Sequence, residues 1–174
     1  MFPISRRRVL AHAGAFACLP VLPLAAAEEK RAASLTTPAP GPRDVCPVCG
    51  MFVAKYPAWV ATVVFKDGKA EHFDGAKDLY KYLLDMPRWA RGRTAGEIAT
   101  IAVTSYYETE RIAAADAVYV IGSDVYGPMG HELVPHATKA DADEFLIDHK
   151  GKRSVRAADI TLALLAALDE GKLS

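Results

Sequence analysis

The 174-residue chain balances 21 Lys and Arg against 21 Asp and Glu and is 51% hydrophobic. That length carries one globular domain with a real core rather than two, and zero net charge argues against a nucleic-acid partner, whose phosphates favour a basic excess. Three cysteines are too few for a disulfide-rich secreted scaffold.

The chain opens with Ser5-Arg6-Arg7-Arg8-Val9-Leu10, followed by an apolar run that ends in Ala25-Ala26-Ala27 before Glu28-Glu29. A basic start, an apolar middle and a small-residue exit form a secretory signal over residues 1–27, and the Ser-Arg-Arg block resembles a twin-arginine export signal. Pro20 and Pro23 interrupt the apolar run and argue against a retained spanning helix. Cys18 lacks the branched residue three positions earlier that a lipoprotein acylation site usually has, so lipid anchoring there is disfavoured. Removal of the leader takes Cys18 and three arginines with it. The remaining chain is net acidic and keeps one cysteine pair.

Residues 28–44 carry three prolines and no apolar period, the composition of a flexible Pro-rich tether. A single domain is expected over 45–174. Residues 58–65 and 69–73 read as strands joined by Lys66-Asp67-Gly68, a hairpin signal. Asp74 stands at a helix N-cap position, and Leu79, Tyr82, Leu83 and Met86 recur at helical spacing until Pro87. After a loop over 88–97, residues 99–107 and 117–122 read as strands, and a second loop over 123–137 carries Gly127-Pro128-Met129-Gly130-His131. Thr138 with Asp141 resembles a capping box for a helix with Ala142, Phe145 and Leu146 on one face. A last helix is expected over 157–169. The pattern predicts an α+β fold of two ββα-like halves, antiparallel sheet packed with helices.

Cys46-Pro47-Val48-Cys49-Gly50-Met51 places three sulfur side chains within six residues. A thiol-disulfide redox pair would place Cys46 at a helix N-terminus after a strand; here the motif follows a proline-rich segment and precedes a hairpin. A structural zinc knuckle needs two further ligands, and the histidines form no compact second pair with finger spacing. Cu(I) prefers thiolate and thioether ligands and accepts two or three of them. Cys46, Cys49 and Met51, with Met129 from a Gly-rich loop where no apolar period would bury it, supply that set. His131 lies two residues from Met129 and is a further candidate ligand, with His136 behind it. His72 reads as packed and His149 as solvated. Met86, at helical spacing, reads as core. No nucleophilic triad, phosphate loop or His-Glu-x-x-His motif is present, so no catalytic residues are expected.

On these residues the chain resembles the NosL copper chaperones of nitrous oxide reductase maturation. The resemblance rests on Cys46-x-x-Cys49-Gly50-Met51, Tyr119-Val120-Ile121-Gly122, Gly127-Pro128-Met129-Gly130 with Glu132-Leu133-Val134-Pro135, and the helix with Ala142 and Phe145. It implies a periplasmic carrier that binds one Cu(I) through Cys46, Cys49, Met51 and Met129. It further implies delivery toward nitrous oxide reductase by way of a membrane ABC-transporter complex. Two departures stand out. His136 occupies a position where the family often has an aromatic residue, and many members are lipoproteins whereas this chain carries a twin-arginine-like leader, which leaves peripheral membrane docking open.

Overall fold

The computed structural model describes residues 30–172. The expected leader lies outside them. Strand β1 (Ala61–Phe65) turns through Lys66–Lys69, where Gly68 adopts a φ of 83°, into β2 (Ala70–Phe73), with Ala61 opposite Phe73. Helix α1 (Ala76–Leu84) buries Leu79, Tyr80 and Tyr82, and a short α2 (Met86–Trp89) follows. Pro87 therefore opens a helix as well as closing one, because its missing N–H falls in the first turn, where no intrahelical partner exists. Met86 is buried in the core as its spacing predicts.

Strand β3 (Ile98–Thr104) returns to the free edge of β1, and β4 (Arg111–Ala113) pairs with β3, giving the antiparallel order β2-β1-β3-β4. Strand β5 (Val118–Ile121) leads into a hairpin of β6 (Tyr126–Gly127) and β7 (Gly130–His131), then β8 (Val134–His136), α3 (Lys139–Asp148) and β9 (Arg153–Arg156). The second sheet has the order β8-β5-β9. Helix α4 (Leu162–Asp169) closes the chain.

The two halves are thus β1-β2-α1-β3 and β5-β8-α3-β9, with the same strand order, the returning strand lying beside the first strand each time. The partner of β5 before the helix is β8, from the stretch read as loop, and not the strand at 98–104. Three residues of extended chain, broken by Pro135, give too short a pattern for alternation to register. The last helix likewise starts at Leu162 rather than 157. Residues 153–156 pair with β5, and the Thr161 hydroxyl accepts the Leu164 N–H as N-cap.

Strand β5 is buried on both faces. Tyr119 and Ile121 join the main core with Val63, Phe65, Phe73, Leu79 and Leu165, while Val118 and Val120 pack with Phe145 and Ala142 of α3. This alternation is the period-two geometry of a strand covered on each side. The segment expected as a tether over 28–44 lies partly on the domain. The Ala32 N–H donates to the Ala137 carbonyl (2.7 Å), the Leu35 N–H to Arg111 (2.8 Å), and the Ala113 N–H to Ala33 (2.8 Å), so residues 32–35 cover the outer edge of β4. Among the described residues no helix is long and apolar enough to cross a membrane.

Candidate metal centre

The two cysteines sit on a tight turn. The Cys46 N–H donates to the Met51 carbonyl and the Gly50 N–H to the Cys46 carbonyl, both at 2.8 Å, while the Val53 N–H donates to Asp44 at 3.0 Å. Gly50 has a φ of 79°, a conformation that costs a side-chain-bearing residue about 1–2 kcal/mol. The turn is no helix N-terminus following a strand, so the setting of a thioredoxin-type pair is missing. Both cysteines are free thiols, Cys46 buried and Cys49 half-buried.

Beneath the turn lies the start of α1. The Cys46 Sγ donates to Asp78 Oδ2 at 3.5 Å and the Cys49 Sγ to Asp74 Oδ1 at 3.2 Å. One ligand atom from each of Cys46, Cys49, Asp74 and Asp78 lies within 4.8 Å of the other three. Hydrogen bonding to Cys46 and burial raise the Cys49 thiol well above the usual thiol range, against a hydrogen bond from the Met51 backbone that favours the thiolate. Cys49 accordingly rests as a thiol.

Asp74 is not the N-cap of α1. That position belongs to Gly75, and no side chain of the helix's own first turn caps it. The cap comes from Glu132, fully buried, whose Oε1 accepts the Lys77 N–H at 2.6 Å and the Leu133 N–H at 2.9 Å. Burial raises the Glu132 carboxyl to about 8. A Cβ on Gly75 would lie 2.3 Å from Glu132 Oε2, so only glycine fits beneath this borrowed cap. With the cap supplied from elsewhere, Asp74 and Asp78 are left to face the cysteines.

The β6–β7 hairpin carries Met129 at its tip, 48% exposed. Lys77, its side chain buried, reaches from α1 to the Met129 carbonyl (3.0 Å), the His131 carbonyl (2.8 Å) and Asp169 Oδ1 of α4 (3.0 Å). The hairpin is tied to α1 by this ammonium group and by Glu132. As a result Met129 and Cys49 line one cleft of about 490 Å³ with Asp78, Trp89 and Leu162. A second cleft of about 590 Å³ is lined by both cysteines, Asp44 and His72. Cys49 belongs to both.

The remaining candidates are placed as follows. Met51 is half-buried and contributes its backbone to the turn. The His131 ring packs against Tyr126 with centroids 4.9 Å apart and planes tilted by 55°, and its carbonyl serves Lys77; it is not one of the four clustered donors. His72 lines the cysteine cleft, its Nδ1 3.0 Å from Thr62 Oγ1, and burial lowers its pKa. His136 is buried among Tyr106, Tyr107 and Phe145, with neither ring nitrogen hydrogen-bonded among the described residues. His149 pairs with Asp124 at 3.3 Å rather than standing free. Asp74 and Asp78 are the donors the sequence reading misses. The available signal was the His72-Phe73-Asp74-x-x-x-Asp78 spacing, which puts two carboxylates one turn apart at a helix start.

The sequence matches the NosL family over residues 39–165. The crystal structure of the copper chaperone NosL from Shewanella denitrificans superposes with a TM-score of 0.61 at 25% identity, covering 74% of this chain and 97% of that one. A search of curated proteins finds no sequence match. With most of the domain matched and the cysteine turn, the α1 start and the Met129 hairpin all inside the matched range, the chain belongs to the NosL family.

Proposed function

We propose that this protein is an exported carrier that holds one Cu(I) between Cys46, Cys49 and Met129 and passes it toward nitrous oxide reductase through a membrane ABC-transporter complex. The observation that carries the reading is the cleft that the Cys49 thiol shares with the solvent-reaching Met129 thioether, Cys49 lining as well the second opening, which holds the Cys46 thiol. Soft sulfur donors select Cu(I). A carrier must also let go, and a half-exposed Met129 permits an incoming thioether, thiolate or imidazole to displace it by ligand exchange. Membership of the NosL family and likeness to a copper chaperone support the choice of cargo. The twin-arginine-like leader supports export, and no catalytic residue is assigned.

Anaerobic titration of the reduced protein with Cu(I) against a competing chelator tests this. One equivalent is expected to bind more tightly than micromolar, with affinity falling about tenfold or more in Cys49→Ser and in Met129→Ala. Binding weaker than micromolar, or indifferent to both substitutions, overturns the reading. Insulin reduction that ignores Met129→Ala would instead favour a redox protein.

A further inference from the structure

The sulfur atoms around the cleft differ in how far an oxidant can reach them. Cys46 is 1% exposed and its Sγ donates to Asp78 Oδ2 at 3.5 Å, while the half-buried Cys49 Sγ donates to Asp74 Oδ1 at 3.2 Å. A thiol engaged as a hydrogen-bond donor is a poor nucleophile, because the thiolate is the reactive form. Met86 is 7% exposed in the core, and Met51 is half-buried on the turn. Met129 is 48% exposed, and a thioether carries no proton to lose before it reacts. The hairpin tip around it stands clear of the domain: Gly130 adopts a φ of 84°, and a Cβ built there would meet no atom within 4 Å. The backbone beneath is nevertheless fixed, since Lys77 Nζ holds the Met129 and His131 carbonyls at 3.0 and 2.8 Å.

We propose that Met129 is a reversible oxidation site through which a peroxide switches off copper loading. The switching rests on the copper reading above; the reactivity of Met129 does not. With hydrogen peroxide as the oxidant, the thioether sulfur gives an electron pair to one peroxide oxygen and the O–O bond breaks. The departing hydroxide takes the proton from the transferred oxygen and leaves as water. Sulfur is oxidised to the sulfoxide, and the peroxide is reduced. The product is polar and presents a hard oxygen where Cu(I) needs a soft thioether, so the site loses its third sulfur donor. Because the side chain lies at an exposed tip and the Lys77 contacts are to backbone carbonyls, the added oxygen displaces no buried group. The fold and both thiols survive, which leaves the change open to repair by a methionine sulfoxide reductase.

The experiment treats the reduced, metal-free full-length protein with hydrogen peroxide in the presence of a chelator. Peptide mass spectrometry maps the added oxygen, and Cu(I) affinity is measured anaerobically after desalting. Met129 is expected to gain one oxygen before Met51, Met86 or either cysteine is oxidised, with the melting temperature unchanged. The oxidised protein is expected to bind Cu(I) about tenfold or more weakly, as Met129→Ala does, and treatment with methionine sulfoxide reductases is expected to restore the parent affinity. Met129→Leu, which keeps the apolar bulk without sulfur, is expected to lose no further affinity on peroxide treatment. Oxidation of Cys46 or Cys49 ahead of Met129 overturns the proposal. So does a Met129 sulfoxide that binds Cu(I) as the parent does while Met129→Ala binds weakly. The copper reading fails on different samples, the untreated Cys49→Ser and Met129→Ala proteins, should both bind Cu(I) as the parent does.

Discussion

Individual side chains at this site are held by relations that local sequence does not display. Gly75 is required because Glu132 occupies the space a methyl group would fill. Gly75→Ala is expected to cost about 1–3 kcal/mol by displacing a buried carboxylate from its two N–H donors, measured by urea denaturation. His136 makes a pH-dependent contribution of the opposite kind. Burial lowers its pKa from 6.5 to about 4, with Asp141 and Glu108 opposing that shift and His149 adding to it. The ring is neutral in the fold and protonates first in the unfolded chain, so the unfolded state binds the extra proton below pH 6.5. Stability at this residue is intact above pH 6.5 and is lost progressively as the pH falls toward 4, by on the order of 3 kcal/mol. His136→Phe, which suits the surrounding Tyr106, Tyr107 and Phe145, is expected to flatten the stability profile between those pH values while leaving Cu(I) affinity unchanged.

Among the elements, helix starts show most plainly what could be read in advance. Thr138 caps α3 with Asp141 in a reciprocal pair, as the local pattern indicates. Asp74 before α1 carries the same local signal and does something else, because the cap arrives from Glu132, 55 residues from the Lys77 amide it serves. Nothing within the neighbouring residues distinguishes the two cases. The β1–β2 hairpin, α1 and β5 were legible from the Lys66-Asp67-Gly68 turn, the helical spacing of Leu79, Tyr82 and Leu83, and the β-branched and aromatic run at 117–122. Strands β4, β8 and β9 were not, because Arg111, Pro135, Arg153, Ser154 and Arg156 break any apolar run and each strand is defined by the edge it finds. The cysteine turn was visible as a sulfur cluster, whereas its carboxylate floor needed the packing of α1. The clamp between α1 and the β6–β7 hairpin has its own test. Lys77→Met is expected to speed amide hydrogen exchange across residues 127–132 and to bring Cu(I) affinity down to that of Met129→Ala, with no further loss when the two are combined. A Lys77→Met protein whose hairpin exchanges as slowly as before would show that Lys77 does not position Met129.

At the scale of the whole molecule, residues 32–35 cover an edge that would otherwise present unpaired backbone groups. Deleting residues up to 35 is expected to cost on the order of 2 kcal/mol and to promote self-association, checked by thermal melting and sedimentation. The duplicated topology reaches further. In the first half the strand-to-strand connection is the short turn at Lys66–Lys69. In the second half the corresponding connection, between β5 and β8, is drawn out over residues 122–133 and bends onto the other half through Met129, His131 and Glu132. By register, Ala137 stands where the first half has Asp74, and Asp141, the counterpart of Asp78, is already engaged by Thr138. The first half thus carries the two carboxylates that face the cysteines, and the second contributes the drawn-out connection tied to α1 by Lys77 and Glu132. A substitution scan should therefore separate cleanly: changes in α3 and β9 are expected to move the melting temperature and leave metal affinity alone, while changes in the drawn-out connection move both.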